Sequence, residues 1–123
     1  YKEEYEKKFA ELRNGIIETQ DKALGYIFHL QGNSFLSMKK FSNALRDYLE
    51  SAGFYISVRN ELNLQIVLNN ILDKTLHNIT DYDVIEEYED RFQKLLLSLE
   101  KANDRSQYTN YIIKLKKAFK NAK

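Results

Sequence analysis

Few side chains in this sequence have the types and spacing that chemical catalysis requires. His29 and His77 are the only histidines among 123 residues, and no histidine pair has the spacing of a metal-binding motif. Cysteine is absent, which excludes thiolate metal sites and disulfides. No serine lies in a Gly-x-Ser-x-Gly turn, and no glycine-rich loop could bind a phosphate. We therefore predict a protein that is not an enzyme and that uses no metal and no cofactor.

Acidic side chains are most concentrated between positions 81 and 90. The cluster consists of Asp81, Asp83, Glu86, Glu87, Glu89 and Asp90. A calcium-binding loop would need a central glycine and a closing glutamate at its twelfth position, and the glycine is missing. Acidic residues at the start of a helix complement the positive end of its dipole. We interpret this cluster as the first turns of a helix.

Basic side chains are concentrated near the end of the chain. They include Lys114, Lys116, Lys117 and Lys120. The nearby aromatic residues Tyr108, Tyr111 and Phe119 share one helical stripe, so we expect them in a core and not stacked on bases. The formal net charge of the whole chain is only +1, which does not create a field that attracts polyanions. We predict no nucleic-acid partner.

The elements that position any site in this chain should be helices. The sequence contains no proline and four glycines, the two residue types that cost helix interiors most. Apolar residues recur three or four positions apart, as in the stripe of Tyr5, Phe9, Leu12 and Ile16. We predict an all-α fold of about six helices.

Capping residues indicate where these helices begin. After a break at Gln20, Asp21 can start a second helix, whereas Asn60 and Asp81 can start later ones. Lys39 lies in a short turn between the second and third helices. Because all the links are short, neighbouring helices should be antiparallel.

The most specific pattern of the chain surrounds a glycine in the middle of a helix. Its members are Phe28, Gly32, Phe35, Phe41, Ala44 and Tyr48. Glycine and alanine allow two helices to approach closely, and the aromatic residues fill the space on either side. The pattern resembles the tetratricopeptide repeat, a family of helical hairpins. Lys39 and Ile56 depart from it, because the family has glycine and proline at those positions.

The resemblance implies a single domain, residues 1–123, built as a short solenoid of stacked hairpins. The best repeat would be residues 25–58, a degenerate repeat would follow at 60–102, and residues 105–121 would be a helix that caps the stack. The degenerate repeat has Leu72 where the family has its glycine. A generic helical bundle is the structural alternative.

The resemblance also implies a binding site. The first helix of each hairpin lines a groove in this family, and the matching positions are Tyr26, His29, Leu30, Asn33, Leu36 and Ser37. This mixture of side chains suits a helical or extended peptide. We predict a non-catalytic protein–protein interaction module, an adaptor or scaffold, that binds another protein or peptide and could also form a homo-oligomer.

Two other functions remain open at this stage. One is a structural or oligomerising bundle within a larger envelope or scaffold protein, and the other is a peptide-sensing regulatory domain. The chain begins at Tyr1 and not at methionine, so we expect a fragment of a longer protein. No apolar run approaches the roughly 20 residues that span a bilayer, so we predict no transmembrane segment. The composition indicates an AT-rich coding sequence, which favours a bacterial source, and the sequence leaves the compartment open between the cytoplasm and the cell envelope.

Overall fold

The chain folds almost entirely into helices. The structure, a computed structural model, describes residues 2–122, with Lys2 described in its backbone only, so Tyr1 and Lys123 of the predicted domain 1–123 lie outside the described residues. The six α-helices are α1 (Lys2–Ser37), α2 (Phe41–Ser57), α3 (Glu61–Asn70), α4 (Tyr82–Glu87), α5 (Glu89–Ala102) and α6 (Thr109–Ala122). Residues 2–122 contain no strand, which confirms the predicted all-α class.

The first helix is longer than predicted. α1 runs without interruption for 36 residues, so the expected break at Gln20 is wrong. Glutamine and aspartate cost a helix interior less than about 1 kcal/mol relative to alanine, which is too little to end a helix by itself. α2 has only 17 residues and covers the second half of α1. Residues 2–20 therefore extend beyond the hairpin, and we call them the arm; the part of the chain after them is the body.

The turns that end α1 and α2 share one geometry. Lys39 has a φ of 59°, and the Lys40 N–H donates to the Phe35 carbonyl at 2.9 Å while the Lys39 N–H donates to the Leu36 carbonyl at 3.0 Å. Arg59 repeats this arrangement after α2, with a φ of 56°. These are Schellman turns, in which glycine is the usual left-handed residue. The expected turn at Lys39 is confirmed, although lysine adopts a conformation that suits glycine better.

The core is built around α2, which packs against α1, α3 and α5. Its buried side chains include Ala44, Leu45, Tyr48, Ala52 and Tyr55. At the other end of the core, the rings of Phe92 and Phe119 stack with centroids 4.4 Å apart and join α5 to α6. One continuous set of buried apolar residues thus connects α2 with all the helices after it.

The predicted caps at Asn60 and Asp81 are present, but the start of the last helix differs from the prediction. Asn60 accepts a hydrogen bond from the Asn63 N–H, and Asp81 accepts one from the Asp83 N–H. The capping helix begins at Thr109 and not near residue 105, because Tyr108 N–H donates to the Asn103 side chain at 2.7 Å within a preceding loop.

The end of α3 departs from regular α-helical geometry. It continues into a π-helical turn (Ile71–Thr75) and a 3-10 turn (Leu76–Asn78). The Thr75 hydroxyl donates to the Asn70 carbonyl at 2.9 Å, a bond that spans five residues and supports the wider turn. The buried stripe of α3 is Leu64, Val67 and Leu68.

Candidate protein-binding face

The six residues predicted to line a groove lie on two different sides of α1. Tyr26 and Leu30 are exposed, with 56% and 47% of their surface accessible, and Asn33 and Ser37 are exposed as well. The spacing of these four residues is 4, 3 and 4, so they form one strip along the helix. We call this strip the body face. It lies on the side of α1 that α2 does not cover.

The other two predicted residues face the interior. His29 is only 8% exposed, and its Nδ1 shares a hydrogen bond of 3.0 Å with the Tyr55 hydroxyl. Leu36 is half-buried and packs against the core. The structure therefore brings Tyr26, Leu30 and Asn33 together on one surface and places His29 and Leu36 beneath it.

The interior position of His29 changes its chemistry. Its ring makes edge contacts with the rings of Tyr48 and Tyr55, and burial lowers its pKa from the ordinary value of 6.5. A histidine in such a place is neutral at pH 7 and supports the hairpin by a hydrogen bond. Its contribution to a binding site is thus indirect.

Tyr48 connects the body face to the core. Its hydroxyl donates to Oδ1 of Asn33 at 2.6 Å, and its ring lies against Gly32. Burial raises the pKa of Tyr48 to about 12, although a hydrogen bond with the Asn70 side chain acts in the opposite direction. The hydroxyl therefore remains a donor at neutral pH. It holds the exposed Asn33 side chain in place through Oδ1.

The close approach of the two helices takes place between Gly32 and Tyr48. A Cβ on Gly32 would lie 2.6 Å from a carbon of the Tyr48 ring. Gly25 makes a similar approach to Tyr55 at 3.0 Å, and its carbonyl accepts a hydrogen bond from the Ser51 hydroxyl. Gly25 and Gly32 of α1 thus each lie against a tyrosine ring of α2. Ala44 is fully buried, as the pattern around Gly32 requires.

A second concave surface lies between α2 and α5 and was not predicted. Leu49, Glu50 and Phe54 line one side, and Arg91 and Leu95 line the other. An ion pair of 3.6 Å between Arg91 and Glu50 crosses it. Because these two charges are already paired with each other, they would contribute less to ligand binding than the exposed residues of the body face.

One buried acid was also missed. Asp47 is 2% exposed; its Oδ1 lies 3.3 Å from Nε of Arg46, and its Oδ2 has no hydrogen-bond partner among the described residues. The Arg46 guanidinium also lies over the Phe35 ring. The signal in the sequence was an acidic residue on the buried side of α2, between Ala44 and Tyr48.

The predicted acidic cluster lies only partly at helix starts: Asp83 is in the first turn of α4, but Glu86 and Glu87 end that helix, because the segment predicted as one helix is divided at Tyr88. Glu89 and Asp90 occupy the first turn of α5, and no group of three acidic or histidine side chains within residues 2–122 is arranged to hold a metal ion. Tyr108 and Phe119 are buried in the core, and Lys116 pairs with Glu100 at 3.1 Å. In the described part of the chain, no helix is both long enough and apolar enough to cross a bilayer. α1 has the length but not the apolar character.

The arm carries a further apolar surface. Tyr5, Phe9, Leu12 and Ile16 were correctly predicted to share one stripe, but each is about 60–70% exposed because α2 does not reach them.

Comparisons of the chain with protein-family models, curated proteins and solved structures give no match.

Proposed function

We propose that this protein is a non-catalytic interaction module of tetratricopeptide-like hairpins that binds a helical segment of another protein on the body face. The observation that carries the proposal is the exposure of Tyr26 and Leu30, about half of each side chain, on the uncovered side of α1. Aligned exposed apolar residues are typical of surfaces that other proteins cover. The pattern of small and aromatic residues around Gly32 supports the hairpin assignment.

The chemistry of the body face favours a helical ligand. A rod-shaped strip with anchors four and three residues apart matches the apolar side of an amphipathic helix, which presents side chains at the same intervals. Tyr26 supplies a large anchor that loses little conformational freedom when it binds. Asn33 is already held by Tyr48, so its amide can donate to the ligand without first being ordered.

The proposal is tested with a panel of synthetic amphipathic helices that share Leu anchors and differ in the charge of their polar side. We expect at least one to bind and to shift the NMR signals of Tyr26, Leu30 and Asn33. Leu30→Glu should weaken this binding at least tenfold, or about 1.4 kcal/mol, because it places a charge in the contact.

Leu97→Glu is the matched control, since Leu97 is 56% exposed on α5, away from the body face. It should leave the affinity unchanged. If no helix of the panel binds, or if Leu30→Glu and Leu97→Glu have equal effects, the proposed function is wrong. The oligomerising alternative would use a different part of α1, the arm.

A further inference from the structure

The arm is an unsupported helix. Every residue from Glu3 to Gln20 is exposed except Ala10, which is half-buried. The buried positions of α1 begin at Gly25, where Tyr55 lies against the helix. A helical segment of this length is marginal in water without a packed apolar face. The arm therefore needs a partner to be stable as a helix.

The apolar stripe of the arm has the period of a coiled coil. Tyr5, Phe9, Leu12 and Ile16 are spaced by 4, 3 and 4 residues and are 64%, 69%, 64% and 59% exposed. The pattern repeats after seven residues, so Phe9 and Ile16 take a positions and Tyr5 and Leu12 take d positions; the other a and d positions of residues 2–19 are Lys2 and Thr19. This spacing, over two heptads, is that of a left-handed pair of helices.

The charges beside the stripe distinguish the two orientations of a pair of identical arms. Glu6 and Arg13 take e positions, and Lys8 takes a g position. In a parallel pair, a g residue meets the e residue five positions later in the other helix, which would place Lys8 beside Arg13. Two like charges there oppose the parallel pair.

An antiparallel pair brings e residues together. With the two-fold axis between Ala10 and Glu11, Phe9 faces Leu12 of the second copy, Tyr5 faces Ile16, and Glu6 faces Arg13. The Glu6–Arg13 contact occurs twice and joins opposite charges. It is the charge-complementary arrangement of this sequence.

Neighbouring registers lack this complementarity. A shift of one heptad would place Arg13 beside Arg13 of the second copy and Lys8 beside Lys22. A shift of two heptads would place Glu6 beside the apolar Ile27. The charge pattern therefore selects one register of one orientation.

The geometry of the chain fits the same register. An axis between residues 10 and 11 places residue 19 level with residue 2 of the second copy, so the pairing ends before Gly25, where the buried positions of α1 begin. The two bodies then lie at opposite ends of the pair. Lys8 of the second copy lies beside Gly15, where a Cβ would meet nothing within 4 Å, so the aliphatic stem of the lysine has room.

We propose that two copies of this chain associate through residues 2–19 as an antiparallel coiled-coil dimer. The two arm stripes bury on the order of 1,000 Å² together, given roughly 150–250 Å² for each of the four aromatic side chains, which is the size of a weak, reversible interface. The proposal concerns the arm and does not require the body face to bind a ligand.

The first test measures mass in solution. Sedimentation equilibrium of the full chain should show a dimer of 29.2 kDa, twice the 14.6 kDa of one chain. Leu12→Glu should shift the equilibrium to monomer without changing the thermal unfolding of the body, and Leu97→Glu should remain dimeric. A wild-type chain that stays monomeric up to millimolar concentration would overturn the proposal, and peptide binding to the body face could still be measured on that monomer.

The second test uses charge reversal to establish orientation. Arg13→Glu places two acids together in the antiparallel pair and should raise the dimer dissociation constant at least tenfold. The double variant Glu6→Arg with Arg13→Glu restores opposite charges and should recover most of the affinity. In a parallel pair Arg13→Glu would instead attract Lys8, so tighter association of this single variant contradicts the antiparallel arrangement.

The third test measures distances with spin labels on introduced cysteines, since the chain has none of its own. Glu11→Cys and Glu18→Cys occupy equivalent heptad positions. About the proposed axis, the two labels at position 11 lie nearly level, whereas those at position 18 are offset along the helix by about 22 Å at 1.5 Å per residue. Equal distances at both positions would indicate a parallel pair and contradict the proposal.

Discussion

At the scale of single residues, the three glycines in the hairpin of α1 and α2 have two different roles. Gly32 lies against the Tyr48 ring and Gly25 against Tyr55, whereas Gly53 of α2 is exposed and has no atom within 4 Å of an added Cβ. The pattern around Gly32 predicted a close approach of two helices. It could not specify that the ring of Tyr48 fills the space, because spacing does not reveal side-chain rotamers.

This difference predicts opposite effects of one substitution. Gly32→Ala should destabilise the fold by about 1–2 kcal/mol, because the buried Tyr48 ring must move and the gain in helix propensity offsets only part of that cost. Gly53→Ala should stabilise it by about 0.5–1 kcal/mol, since alanine favours helices and meets open space. Denaturant unfolding of both variants measures the two changes. A Gly32→Ala variant as stable as Gly53→Ala would show that the ring does not fill that space.

His29 predicts how stability depends on pH. Its pKa is lowered in the folded state, so the unfolded chain takes up a proton near pH 6.5 while the folded chain does not. The free energy of unfolding should therefore fall as pH falls below 6.5 and level off below the folded-state pKa. His29→Asn should flatten this slope, and His77→Asn, at an exposed position, should keep it. Parallel pH profiles for wild type and His29→Asn would exclude the buried imidazole as the cause.

At the scale of elements, periodicity predicted the helices well and their ends less well. The caps at Asn60 and Asp81 were predictable because a side-chain acceptor must lie at a fixed distance from the first free N–H groups. The continuity of α1 through Gln20 was not predictable, since a polar residue permits a break without requiring one. The π-turn after α3 depends on the Thr75 hydroxyl, a contact that no simple period indicates.

The candidate site was likewise predictable in part only. Sequence reasoning named Tyr26, Leu30 and Asn33, which lie on one exposed strip, through positions carried over from a helical-hairpin family. His29 and Leu36 belong to the other side of α1 because the helix meets α2 there. A pattern of apolar and polar residues could not separate the two sides, since both contain residues of each kind. The contacts with α2 determine which side of α1 is buried.

At the scale of the whole molecule, the chain consists of a packed body and an arm outside it. Among residues 3–122, the buried positions all lie between Gly25 and Phe119, and none belongs to the arm. The period of Tyr5, Phe9, Leu12 and Ile16 was visible in the sequence, but a stripe does not say which neighbour covers it. Because α2 is much shorter than α1, the body does not cover this stripe.

Hydrogen exchange of the full chain should therefore show two levels of protection. At dilutions where the chain is monomeric, arm amides should exchange almost as fast as in a free peptide, because the arm can fray without exposing core. Amides of α2 should require opening of the body, at a free energy approaching its full stability of about 5–15 kcal/mol. If the arm pairs with a second copy, raising the chain concentration should protect amides of residues 5–19 and leave those of α2 unchanged. Strong protection of the arm amides at all dilutions would mean that the body already stabilises the arm. The molecule would then not consist of a packed body and an unsupported arm.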